Sequence, residues 1–138
     1  MTRFVLEASV VLAWCFEDQV KPLAELALDS LRAGEASVPP IWPAEVGKAL
    51  LVAERRGRAK PAGTTRSLEL IRSLPIRIVE DEAGADPSGL VAFARPHNLS
   101  TYDASYLELA LREGLPLATL DSELRKAARK TGVPLLGE

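Results

Sequence analysis

Cysteine and histidine are almost missing from this chain: Cys15 and His97 are each the only residue of their kind. No disulfide can close within the molecule, and the His and Cys clusters that hold zinc are excluded. Cys15 lies in the apolar run Val10-Val11-Leu12-Ala13-Trp14-Cys15-Phe16 with no basic neighbour to lower its pKa, so it reads as an inert, buried thiol. Aromatic residues are scarce at 5%, which leaves the core to Leu, Val, Ile and Ala. No stretch approaches the roughly 18–20 apolar residues of a membrane span. Met1-Thr2-Arg3 leads straight into a short apolar run broken by Glu7, which does not make a secretory signal, and a cytoplasmic protein is expected. Nor is there an excess of positive charge: 17 basic against 19 acidic residues give −2, so any contact with a polyanion must use local patches.

What is present is a globular composition, 47% hydrophobic and 26% charged over 138 residues, enough for one domain spanning residues 1–138 without covalent staples. Residues 3–7 read as a strand, with Ser9 as N-cap of a helix to Phe16. Lys21–Arg32 carries Leu23, Leu26, Ala27 and Leu31 at helical spacing, with Gly34 as its stop. Ala36–Pro39 is extended, Pro43 stands in the first turn of a helix to Arg56, and Pro61 opens another to Ser73. Ile76–Val79 alternates as a strand, the acidic stretch Glu80-Asp81-Glu82 follows, and Pro87–Arg95 reads as a helix. Ser100 and Asp103 form a capping box for a helix ending near Gly114. Pro116–Leu120 is a strand, Asp121 caps a helix to Thr131, and Val133–Leu136 is a last strand. Strands alternating with helices predict an α/β fold, a mostly parallel central sheet flanked by helices. Ligands in such folds bind beyond the carboxyl ends of the strands.

Four acids stand where apolar runs give way to helix starts: Glu7, Glu45, Asp103 and Asp121. Taken singly, Asp121 is a helix cap, Asp103 completes a capping box and Glu45 suits the positive end of a helix dipole. Glu7 resists such a reading, because an acid ending a short buried strand has no propensity reason to be there. Carboxylates crowded on one rim repel each other unless a cation compensates, and Mg²⁺ or Mn²⁺ suits oxygen-only ligands while keeping waters of its own. The chemistry this predicts is metal-assisted hydrolysis of a phosphodiester. Ser9, Thr101 and Thr119 lie beside the acids, either orienting ligands and waters or simply capping helices.

The runs Val5-Leu6-Glu7-Ala8-Ser9-Val10, Trp42-Pro43-Ala44-Glu45-Val46-Gly47-Lys48, Leu99-Ser100-Thr101-Tyr102-Asp103-Ala104-Ser105-Tyr106 and Leu117-Ala118-Thr119-Leu120-Asp121 closely resemble the PIN-domain proteins. The subgroup they resemble most is the VapC-type toxins of VapBC toxin–antitoxin systems. The resemblance implies a PIN fold, an Mg²⁺- or Mn²⁺-dependent endoribonuclease, a homodimer, and a VapB-type antitoxin whose tail enters the acidic groove. It implies Glu7, Glu45, Asp103 and Asp121 as catalytic acids, with Glu7, Asp103 and Asp121 as metal ligands. Two residues depart from the family pattern: Glu7 stands where the family has Asp, and Lys48 where it often has Asn. One added methylene at position 7 must displace the metal, swing the acid aside or change its binding mode, so weakened activity is expected.

Basic residues cluster at Arg55-Arg56-Gly57-Arg58-Ala59-Lys60 and at Arg125–Lys130. Either they are solvated helix faces, or, with Lys48, they hold RNA phosphates beside the acids. Lys48, Arg55, Arg56 and Arg58 are the candidate RNA contacts. His97 reads as a surface loop residue, and Trp14 and Trp42 as packing residues. Two other functions compete: a PIN-like module that binds RNA or protein without cutting, and a phosphoryl-accepting signalling domain. The latter wants an acceptor Asp ending a central strand and a late Lys at a strand end, and the chain has neither.

Overall fold

A computed structural model describes residues 1–16, 21–80 and 86–138. Four strands, β1 (Thr2–Leu6), β2 (Gly34–Val38), β3 (Ile76–Ile78) and β4 (Leu117–Ala118), form one parallel sheet in the order β3-β2-β1-β4. The helices among the described residues are α1 (Ala8–Cys15), α2 (Pro22–Ser30), α3 (Trp42–Arg55), α4 (Pro61–Ser73), α5 (Pro87–Ala94), α6 (Thr101–Glu113) and α7 (Ser122–Thr131), with a 3₁₀ turn over Arg95–His97. The α/β architecture is therefore as the alternation of elements predicts. Among the described residues no helix is long and apolar enough to cross a membrane.

Central position explains the composition of β1. Phe4, Val5 and Leu6 are fully buried, covered on both faces by helices, which is why the strand reads as a continuous apolar run. Edge strand β3 is correspondingly exposed. Tyr106, Leu107 and Leu109 of α6 pack with Phe4, Leu6 and Leu117 in the core, each such side chain contributing about 1.5–3 kcal/mol. The chain moves from β1 through β2 to β3 on one side, then crosses back to lay β4 on the other side of β1. The sheet's switch point thus lies between β1 and β4, and its crevice opens where Glu7 and Asp121 follow those strands.

Several local expectations are corrected. The N-cap of α1 is Glu7, and Ser9 lies inside the helix. Gly34 does not stop α2, which ends at Ser30 with Leu31 as C-cap; it begins β2, where a Cβ would sit 2.1 Å from the Thr2 carbonyl oxygen and 2.8 Å from that of Ser30. Gly is required there by close approach. The strand expected over Pro116–Leu120 contracts to two residues. Val133–Leu136 is no strand but a single bridge at Leu135 to Leu117. The Val133 N–H is taken by the Ala128 carbonyl at the end of α7, and Pro134 has no N–H to give. Of the acidic stretch after β3, Asp81 and Glu82 lie outside the described residues. Gly114 ends α6 in the left-handed conformation, at φ 65°, as its position suggests.

Candidate active site at the strand ends

Glu7 is only 5% exposed, and its carboxylate is held by three donors. The Ser9 N–H donates to Oε2 at 2.9 Å, the Ser9 hydroxyl to Oε1 at 2.5 Å, and the Thr119 hydroxyl to the same Oε1 at 2.5 Å. Glu is a weak choice for an N-cap, and here the longer side chain curls back onto its own helix while reaching the turn after β4. That turn is tied to α1 a second time, since the Leu120 N–H donates to Ser9 Oγ at 2.9 Å. Fully buried Thr119 also accepts from the Asp121 N–H at 3.0 Å. Asp121 Oδ2 accepts from the Leu124 N–H at 2.9 Å and caps α7, leaving Oδ1 for other partners.

Asp103 sits in the first turn of α6, where its N–H donates to Ser100 Oγ at 3.0 Å. Its carboxyl group is pushed up from 3.8 to about 6, first by burial and then by the charges of Asp121, Glu7 and Glu45. Glu45, in the first turn of α3, is also raised, by burial and by Glu7, against the opposing effects of Tyr106 and Lys48. Asp103 therefore feels the charges of the other three acids, and Glu45 that of Glu7. Thr101 opens α6 on the exposed surface.

Sequence reasoning left Tyr106 without a role. Its ring is fully buried, and its hydroxyl donates to Glu45 Oε1. Burial and the neighbouring Glu45 push the phenol far up, so it remains a donor. The available signal was its place three residues after Asp103, on the same face of α6. Tyr102, 54% exposed, was also overlooked. With Ser9, Glu7, Glu45, Lys48 and Val52 it lines a groove of about 450 Å³ between α1 and α3.

The other candidates separate from this rim. Arg55, Arg56 and Arg58 are exposed at or beyond the far end of α3, and Arg55 is about 15 Å along the axis from Glu45. In the second basic cluster, Arg125 and Arg129 both pair with Glu138, at 2.9 and 2.6 Å, and Arg125 also donates to the Thr119 carbonyl at 2.9 Å. His97 packs its ring against Phe93, with centroids 5.5 Å apart. The Trp14 indole donates to the Ala24 carbonyl, Trp42 is buried, and burial raises the Cys15 thiol.

The family model for the PIN domain matches residues 4–130. This chain belongs to the PIN-domain family. PIN domains are in general nucleases that use divalent metal ions. Solved structures similar to this PIN domain include PAE2754 of Pyrobaculum aerophilum, at 25% identity and TM-score 0.67, covering 89% of this chain and 77% of the other. A toxin–antitoxin complex from Klebsiella pneumoniae aligns at 16% identity and TM-score 0.56, covering 86% and 87%. VapBC2 of Rickettsia felis, bound to a DNA fragment from its promoter, aligns at 14% identity and TM-score 0.66, covering 97% of each chain. No curated protein sequence matches the chain.

As a test of fit, the donor set of this PIN domain is all oxygen and mutually repelling, the chemistry that a hard divalent cation satisfies. Among the described residues, however, no three acidic, His or Cys side chains stand close enough to ligate one ion. Most of the acceptor capacity of Glu7 is already taken by Ser9 and Thr119.

Proposed function

We propose that this PIN domain is the toxin of a type II toxin–antitoxin pair: a cytoplasmic VapC-type endoribonuclease, dependent on Mg²⁺ or Mn²⁺, whose activity is lowered by Glu7. One observation carries the reading: in a PIN-family chain, Glu7 and Asp121 follow the adjacent strands β1 and β4 and are joined through the Thr119 hydroxyl, with Asp103 near enough for their charges to raise its carboxyl group. Toxin–antitoxin complexes among the similar structures support the toxin assignment.

In this reading Asp103 and Asp121 would hold the ion, and Glu7 would join them only by giving up hydrogen bonds to Ser9 and Thr119. A bound divalent cation supplies an activated water and neutralises charge on the phosphoryl group. The chain's own groups do the rest. Tyr106 holds Glu45 by one oxygen at the wall of the groove, and the other oxygen can orient a water or take its proton. Ser9 and Thr119 set the position of Glu7. Lys48, exposed one turn after Glu45, contacts a substrate phosphate. The protein acts as a homodimer, and a VapB-type antitoxin blocks the groove beside α2 and α3.

Lowered activity follows from the commitments of Glu7. A carboxylate accepting three hydrogen bonds cannot move onto a metal without leaving donors unmade, at roughly 1 kcal/mol or more each. The test is cleavage of a panel of RNAs with Mn²⁺ or Mg²⁺ by the natural sequence, Glu7→Asp and Asp103→Asn. Cleavage that rises in Glu7→Asp and is lost in Asp103→Asn or with a chelator is expected. No gain in Glu7→Asp refutes the attenuation. The dispersed acids also favour a second reading, a PIN-like module that binds RNA or protein without cutting; binding without cleavage in both the natural sequence and Glu7→Asp would establish it.

A further inference from the structure

Helix α4 is amphipathic, yet none of its thirteen residues is buried. Its Ile71 packs against the core, while its earlier turns border a cavity of about 710 Å³ at the C-terminal end of α1, within the range of small-molecule sites. Its walls are of three kinds. Trp14 and Phe16 give an aromatic side, and Arg58 lies over the Phe16 ring at 5.6 Å. Arg58, Lys60 and Arg66 give a cationic rim, and among the described residues none of the three has an ion-pair partner. Among the described residues no acidic side chain lines the space. Thr64 contributes a hydroxyl whose oxygen is buried without a hydrogen-bond partner. The start of α4 adds to the positive potential, because Lys60 provides no side-chain cap. In a chain of net charge −2, the described residues around this space concentrate positive charge locally.

We propose that this cavity is an RNA exosite, binding one nucleotide of the substrate strand away from the acidic rim, its base stacked on the Arg58 guanidinium and its phosphates on Lys60 and Arg66. The inference rests on the ribonuclease reading. A guanidinium held over an aromatic ring, as Arg58 is over Phe16, can also take a base, and bases stacking on arginine and aromatic groups are a standard mode of single-strand recognition. A plain acidic peptide would use the cations but not that stacking, so the aromatic wall favours a nucleotide. Along α1 the cavity lies about 12 Å from Glu7, so a strand seated in it would still run to the acids. The exosite thus fixes register while leaving the chemistry to the rim.

The experiment uses the intact protein and a fluorescein-labelled single-stranded 12-nucleotide RNA, read by anisotropy with EDTA present to prevent cleavage. Arg58→Gln/Arg66→Gln is expected to weaken binding about tenfold, and to make the plot of log affinity against log salt shallower by about 0.7, the one phosphate contact of Arg66. Arg32→Gln/Arg77→Gln, removing two exposed arginines elsewhere, should change neither. Phe16→Leu keeps the cations but loses the stacked surface, and should weaken RNA binding without changing the salt slope. With Mn²⁺ added, the Arg58/Arg66 variant should raise KM and leave kcat unchanged. If the natural sequence binds and cuts RNA while the Arg58/Arg66 variant matches it in affinity and KM, the exosite is refuted and the nuclease stands. If the natural sequence neither binds nor cuts RNA, the nuclease reading fails and the exosite with it. If poly-glutamate of equal charge displaces the RNA equally well, the site takes acidic peptide and the nucleotide assignment is overturned.

Discussion

Replacing Asp103 by Asn should make the protein more stable at neutral pH while abolishing any cleavage. The sign follows from the charge environment. The Asp103 carboxyl group is raised from 3.8 to about 6 by burial and by three neighbouring acids, so the folded state favours its protonated form. That stabilisation is complete below pH 3.8 and is lost as pH rises through about 6. Above pH 6 the folded protein carries a repelled carboxylate that the unfolded chain relieves. At 1.36 kcal/mol per pH unit the displacement corresponds to roughly 3 kcal/mol. Asp103 is only partly buried, and solvent screening reduces this to about 1–2 kcal/mol. For a domain of this size that is about 3–8 °C in Tm at pH 7.5. Differential scanning calorimetry of the natural sequence and Asp103→Asn at pH 7.5 and pH 4 measures it, and the gap should close at pH 4. Adding MnCl₂ at pH 7.5 should stabilise the natural sequence and not the variant. An Asn variant equal to or less stable than the natural sequence at pH 7.5, or a gap that persists at pH 4, would refute the reasoning.

Tyr106→Phe removes the hydroxyl that serves Glu45 while leaving the ring packed, and should lower stability by about 1–2 kcal/mol in urea denaturation. Glu7→Ala leaves the Ser9 N–H and the buried Thr119 hydroxyl without their acceptor, and should cost about 2–3 kcal/mol by the same assay. Gly34→Ala drives a methyl group into two backbone carbonyls, and should cost more than about 2 kcal/mol, visible as a fall in the urea midpoint.

The sequence carried the architecture because its signals were local. Pro61 and Asp121 mark helix starts and Gly114 a helix end, and the unbroken apolar run of β1 announces a strand covered on both faces. What escaped depends on partners far along the chain. Tyr106 meets Glu45 across 61 positions, and Thr119 meets Glu7 across 112. The role of Glu7 was hidden for another reason: propensity argues against Glu at an N-cap, and only the arrival of Thr119 makes its extra length useful. The run from Arg125 stayed open between a solvated face and phosphate contacts because the pairing of Arg125 with Glu138 and the Thr119 carbonyl arises only when the segment after α7 folds back.

Thr119 donates to Glu7 and accepts from the backbone of Asp121 through one hydroxyl. Positions 7, 119 and 121 are consequently not independent variables under mutation. A substitution at 7 frees the hydroxyl to rotate and loosens the turn that presents Asp121, so its effect depends on whether Thr119 is still there. In a double-mutant cycle, changes at 7 and 119 should be strongly non-additive, by about 0.5–3 kcal/mol. Any attempt to raise activity at position 7 alone is then also a change to position 121, and the route to an improved enzyme runs through paired substitutions.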